Sequence, residues 1–250
     1  MCFEGFRKGA HNKMLVLAID TAGETLSAAL LNDGVICAEI FINTGMNHSH
    51  HLLPAIKNIY DVAGAKTEAT DLFACTVGPG SFTGLRIAVS TIKGLAMATG
   101  KPVVGLSTLE VLAANMGCVP MKICPMLDAR KGQIYTALYK MEADLFLEQV
   151  AGDRLAGLET FLSSLDEENI CFLGSGAVKY ADVIRKSLPG CIIAPVSYSY
   201  IRAGLVGLLA LKKFQEGKIL DVPTFAPRYL RLSEAEKNLA IAENSKSKKC

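Results

Sequence analysis

A chain of 250 residues, half hydrophobic and a fifth charged, has the apolar surface for one large domain or two modest ones, which excludes wholesale disorder. Its most apolar windows, such as 203–211, fall short of the ~20 residues that a membrane-spanning helix needs. The formal charge of +2 is unevenly placed: residues 1–13 carry +2 through Arg7, Lys8 and Lys13 against Glu4, residues 245–250 carry +3 through Lys246, Lys248 and Lys249, and the body is left with −3. A body so charged is a poor candidate for gripping nucleic acid by itself.

Residues 1–13 lack the apolar stretch of a signal peptide and read as an extension outside the fold. From Met14 the pattern is strand, turn, strand. Leu15–Ile19 runs into Asp20, Leu26–Leu31 follows, and Asn32-Asp33-Gly34 predicts a tight hairpin into Val35–Ile42. A helix is expected over His51–Ala63, because Pro54 is tolerated only in a first turn. Leu52, Ile56, Ile59 and Ala63 form its buried stripe, with Leu53, Lys57 and Tyr60 on a neighbouring face. Leu72–Val77 reads as a strand buried on both faces that enters Gly78-Pro79-Gly80-Ser81-Phe82-Thr83-Gly84. A second helix spans Leu85–Ala98 and stops at Gly100. Pro102–Leu106 is a strand and Thr108–Asn115 a helix.

The second half restarts the first. A shift of 108 residues lays Leu15 on Ile123, Asp20 on Asp128, and Ala29-Leu30 on Ala137-Leu138. Cys171-Phe172-Leu173-Gly174-Ser175-Gly176 echoes the strand that enters Gly78-Pro79-Gly80. Strands alternating with helices in two similar stretches predict an α/β protein of two related lobes, residues 14–112 and 113–232. A helix over Ile201–Gln215 ends near Gly217, Asp221–Leu232 is extended, and Ser233–Asn244 forms a frayed helix in a tail, 233–250, that is partly disordered.

Three constellations carry chemistry. Asp20 and Thr21 at a strand end, with Gly78, Gly80, Ser81 and Gly84 before a helix, could cradle a phosphate or nucleotide; equally, the glycines could serve tight turns. The loop is neither a Walker A motif nor G-x-G-x-x-G. His48, His50 and His51 lack the spacing of a metal-binding helix pair, so a cap or contact role outweighs a metal. On the second helix, Arg86, Ser90 and Lys93 share a face, and Ala88, Thr91, Gly94 and Ala98 leave small surfaces that would let another helix approach. The eight cysteines form no C-x-x-C pair and sit mostly in apolar runs, as reduced, buried thiols do. No nucleophile has a recognisable base partner.

Several strings resemble the TsaB (YeaZ) family: Leu15–Ala22, His48–Ile56, Leu127–Tyr135, Pro227–Arg231 and, most specifically, Val77–Ile87 followed by Lys93-Gly94-Leu95-Ala96. The resemblance covers residues 14 to about 232 and is sparse between about 140 and 220. It implies an α/β fold of the actin-like ATPase, sugar-kinase and Hsp70 type, with two duplicated lobes of mixed sheets flanked by helices. It implies a cytoplasmic, non-catalytic subunit of the machinery that makes N6-threonylcarbamoyladenosine in tRNA, without cofactor or metal. Its partners would be the catalytic TsaD-like subunit and a TsaE-like ATPase, with a homodimer when alone. The tRNA would be met mainly through the complex, with the basic tail as the one place for direct phosphate contact. By position, the docking surface falls on the two N-lobe helices, at Leu53, Lys57, Tyr60, Arg86, Ala88, Ser90, Thr91 and Gly94. Ala88 stands where the family usually has Gly, and His50-His51 replaces an acidic-then-variable pair. Two rivals stand beside this reading: an ATP-dependent kinase using a second phosphate loop near Gly174-Ser175-Gly176, and a metallopeptidase using His48 and His51.

Overall fold

A computed structural model describes residues 14–45, 48–117, 119–142, 147–165 and 169–231. The expectations for residues 1–13, for the helix at 233–244 and for the basic tail lie outside them. In chain order the elements are β1 (Leu15–Asp20), β2 (Leu26–Asn32), β3 (Val35–Ile42), α1 (His48–Ala63), β4 (Leu72–Gly78), α2 (Phe82–Thr99), β5 (Val103–Ser107) and α3 (Thr108–Ala114). Then come β6 (Lys122–Asp128), β7 (Gln133–Met141), β8 (Leu147–Gly157), α4 (Leu158–Ser163), β9 (Ile170–Leu173), α5 (Ser175–Lys179), α6 (Ala181–Ser187), β10 (Ile192–Ile193) and α7 (Ala203–Gln215).

The strands form two five-stranded sheets, ordered β3-β2-β1-β4-β5 and β8-β7-β6-β9-β10. In each, the first strand pairs antiparallel with the second and parallel with the fourth. The repeat read at a shift of 108 residues is thus a repeat of topology, with Asp20 and Asp128 ending the equivalent strands β1 and β6. This is the duplicated two-lobe α/β architecture expected. The first hairpin turns on Asp33 (φ 52°) and Gly34 (φ 76°), the paired left-handed residues that a two-residue turn needs to match strand twist.

Side-chain alternation builds three apolar layers. On β1, Leu17 and Ile19 face α1 and α2, while Val16 and Ala18 face the opposite core. On β6 and β9, Cys124, Met126 and Phe172 face α4, α5 and α6, while Ile123 and Cys171 face inward. The inner layer holds α3 and α7 between the sheets. Chain order and packing diverge at α7, which falls within residues 113–232 but packs on β1 and β2 of the first sheet. A Cβ at Gly207 would overlap Leu31, so glycine is what lets α7 lie this close. The start of α7 is fastened by Glu39, which accepts from both Nη2 (2.7 Å) and Nε (3.2 Å) of Arg202 and from the Gly204 N–H. Among the described cysteines Cys75, Cys124 and Cys171 are buried and Cys37 is exposed, all as free thiols. Among the described residues no helix is long and apolar enough to cross a membrane.

A candidate docking groove and a closed cleft

Helix α1 starts at His48, three residues before the expected start. The inference from Pro54 fails because the proline sits on the solvent side, where losing one backbone hydrogen bond leaves the buried face intact. The start is anchored instead by His48, whose Nε2–H donates to the Gly23 carbonyl at 2.9 Å. Leu52, Ala55, Ile56, Ile59 and Tyr60 are buried against the first sheet. Tyr60 therefore leaves the expected surface: it is 4 % exposed, and its hydroxyl is 2.5 Å from Thr70 Oγ1. Burial pushes its pKa up. Tyr60 does not share the outer face of Leu53 and Lys57, because Ile56 and Tyr60 share the inward face at i, i+4. Leu53 is 59 % exposed and Lys57 is exposed.

Helix α2 likewise begins three residues early, at Phe82. Ser81 is its cap, accepting from the Gly84 N–H at 3.3 Å, and Gly100 ends it in the left-handed conformation. Leu85, Ala88, Val89, Ile92 and Ala96 face the sheet at helical spacing. Ala88 is wholly buried and so is also corrected: its small side chain serves packing on the chain's own sheet rather than an outer surface. Arg86, Ser90 and Gly94 are exposed and Thr91 half-buried. Between the two helices lies an open groove of about 420 Å³ lined by Ser49, Leu52, Leu53, Thr83, Arg86, Ile87, Ser90 and Thr91. Four of the eight expected surface residues, Leu53, Arg86, Ser90 and Thr91, line it.

A strap over residues 218–231 lies along this helix. Leu220 bridges to Val103, and the Arg228 N–H donates to the Val77 carbonyl at 2.6 Å. Lys93 Nζ donates to the carbonyls of Pro223 (2.6 Å) and Phe225 (3.4 Å). Tyr229 stacks on Phe82 with ring centroids 3.8 Å apart and 4° between planes. Arg86 lies over the Phe82 ring at 5.0 Å, and its Nε donates to Tyr229 Oη at 3.0 Å. The Pro227–Arg231 string was visible in the sequence, but nothing periodic in it says what it packs on.

The Asp20 and glycine constellation is brought together, but as a closed joint. Asp20 and Thr21 are fully buried. A Cβ at Gly80 would meet the Ala22 carbonyl, and one at Gly84 would overlap the Thr21 carbonyl. Thr21 Oγ1 donates to the Gly84 carbonyl at 2.7 Å, and the Ser81 N–H donates to the Ala22 carbonyl at 2.7 Å. A Cβ at Gly78 (φ 125°) would overlap the Arg228 carbonyl of the strap. The close approach the glycines permit is thus taken by the chain itself, and these residues do not fit a phosphate group in this arrangement. Asp20 accepts from Thr76 Oγ1 and, at 3.3 Å, from the Ala22 N–H, while its Oδ2 has no partner among the described residues. Burial pushes its carboxyl up to about 6, against hydrogen bonds from Thr76 and Ala22 that pull it down.

The equivalent Asp128 in the second lobe accepts from Lys179 Nζ (2.6 Å), Tyr180 Oη (3.0 Å) and the Arg130 N–H (3.0 Å). Burial alone would raise its carboxyl, but those donors outweigh it and hold the group below the usual range. Gly174 and Gly176, named for the kinase alternative, pack on the Met126 carbonyl. Among the described residues no group of three or more His, Cys, Asp and Glu is placed to hold a metal ion.

The family model described as TsaD, tRNA N6-adenosine threonylcarbamoyltransferase, matches residues 36–245. The tRNA threonylcarbamoyladenosine biosynthesis protein TsaB of Bacillus subtilis is 34% identical over 226 residues, covering 89% of this chain and 96% of that one. The protein of the same name from Escherichia coli is 30% identical, covering 90% and 98%. The solved structure of YeaZ from Pseudomonas aeruginosa superposes with a TM-score of 0.76 at 26% identity, over 87% of this chain and all of that one.

Proposed function

We propose a docking role for this chain, which belongs to the TsaB family of tRNA threonylcarbamoyladenosine biosynthesis proteins. In this reading it is a non-catalytic scaffold subunit that pairs with a TsaD-like threonylcarbamoyltransferase and holds it in its competent form, with a TsaE-like ATPase joining the pair in the cytoplasm. The observation that carries the reading is the open groove between α1 and α2, with Leu53 projecting beside it and hydroxyl-bearing Ser49, Thr83, Ser90 and Thr91 around an apolar floor. An apolar centre with a polar rim is the anatomy of a protein interface rather than of a small-molecule pocket. A helix of the partner laid across this groove would bury Leu53. A second copy could use the same face when the partner is absent.

The state of the cleft residues supports a non-catalytic role. Asp20 is fully buried, and Asp128 is paired with Lys179, so neither is free to act as an acid, base or metal ligand in this conformation. The tRNA is then met mainly through the complex.

The test is co-elution with a TsaD-like subunit, followed by reconstitution of threonylcarbamoyladenosine formation. Leu53→Glu and Ser90→Glu should each abolish the pair and the reaction while leaving the circular dichroism spectrum unchanged. Both variants co-eluting like the parent chain would overturn the docking surface.

A further inference from the structure

Resting on that docking role, we infer that the groove selects an acidic, non-self partner: Arg86, held in place by Tyr229 of the strap, receives a carboxylate from the helix that docks, and the groove lining of a second copy of this chain carries none. Arg86 is the one charged side chain among the residues lining the groove. Its guanidinium is exposed, yet held by the Phe82 ring at 5.0 Å and by the hydrogen bond from Nε to Tyr229 Oη. That bond uses Nε alone, so both terminal nitrogens stay available for a planar, two-point contact with a carboxylate. A guanidinium already oriented by stacking loses less rotamer entropy when it pairs.

The rest of the face has the same sign. Helices α1 and α2 carry Lys57, Arg86 and Lys93, and their sole acidic residue is Asp61. Lys93 is occupied by the strap carbonyls, which leaves Arg86 as the groove's recognition cation. Docking of two copies face to face brings cations to cations, which costs affinity and specificity. Docking of an acidic helix gains a charge-assisted pair at the edge of an apolar contact. The two uses of the face therefore differ in the sign of their salt dependence.

The test uses the full chain with its TsaD-like partner, with calorimetry for pairing and sedimentation for self-association, at about 0.05 M and about 0.5 M salt, where screening of exposed charges differs strongly. Partner affinity should weaken with salt, and self-association should hold or strengthen. Arg86→Gln should weaken the pair about tenfold at low salt and remove most of the salt dependence. Arg86→Lys should keep the salt dependence while losing part of the affinity, because the charge remains without the fork. Tyr229→Phe, which keeps the stack and removes the hydroxyl, should fall between the parent and Arg86→Gln. Pairing that is unchanged in Arg86→Gln at both salt concentrations overturns the inference while leaving the docking role standing. Failure of the parent chain to pair at all overturns both.

Discussion

Replacing Asp20 with Asn should flatten part of the stability–pH curve. The carboxyl is fully buried, with one oxygen lacking a partner among the described residues. Its pKa is about 6 in the fold against an ordinary 3.8. That difference corresponds to about 3 kcal/mol between the two protonation states. Below about pH 3 both folded and unfolded chains hold the proton, and the contribution to stability is complete. As pH rises toward 6 the unfolded chain releases the proton while the folded chain keeps it, so stability falls; above 6 the loss is complete. Asn cannot titrate. Its amide leaves one buried group without a partner, a constant offset of about 1–3 kcal/mol, so the slope is the readout rather than the absolute stability. Urea unfolding of both chains between about pH 3 and 7.5 should show the difference in unfolding free energy, parent minus variant, falling by about 3 kcal/mol across the window. A difference that stays constant with pH would refute the buried, strained carboxylate and with it the closed cleft.

Further outcomes follow from the same packing. Gly84→Ala would drive a methyl into the Thr21 carbonyl and should cost about 3 kcal/mol in chemical denaturation. Tyr60→Phe removes the partner of the buried Thr70 hydroxyl and should cost about 1 kcal/mol while leaving partner affinity unchanged in calorimetry. Lys93→Met releases the carbonyls of Pro223 and Phe225, so limited proteolysis should cut the 218–231 strap about tenfold faster than in the parent chain.

The strands of the first sheet, with β6, β7 and β9, were legible because their signals are local: an apolar run, an Asp at its end, an Asp-Gly turn; β8 and β10, with no such marks, were not. The duplication was legible because Asp20 and Asp128 fall in register, and a topological repeat carries such a register. Helix starts were less so. Pro54 argues against a seventh position in a helix only if its face is buried, and exposure is a tertiary fact. Tyr60 and Ala88 were assigned outward because one helix face merges into the next; which residue turns inward depends on how α1 and α2 sit on β2 and β4. The glycine loop read equally as a phosphate cradle or as tight turns, because what lies against it, the carbonyls of Thr21 and Ala22, comes from a distant strand end. The strap was the least legible part. Tyr229 meets Phe82 and Arg86 across more than 140 residues of sequence, and no periodicity announces such a contact.

The most direct test of the docking account is hydrogen–deuterium exchange on the full chain with and without the TsaD-like partner. The account predicts slower exchange over α1 and α2, and over the strap around Tyr229, with the β6–β10 lobe unchanged. Protection confined to the second lobe, with α1 and α2 exchanging as in the free chain, would contradict it.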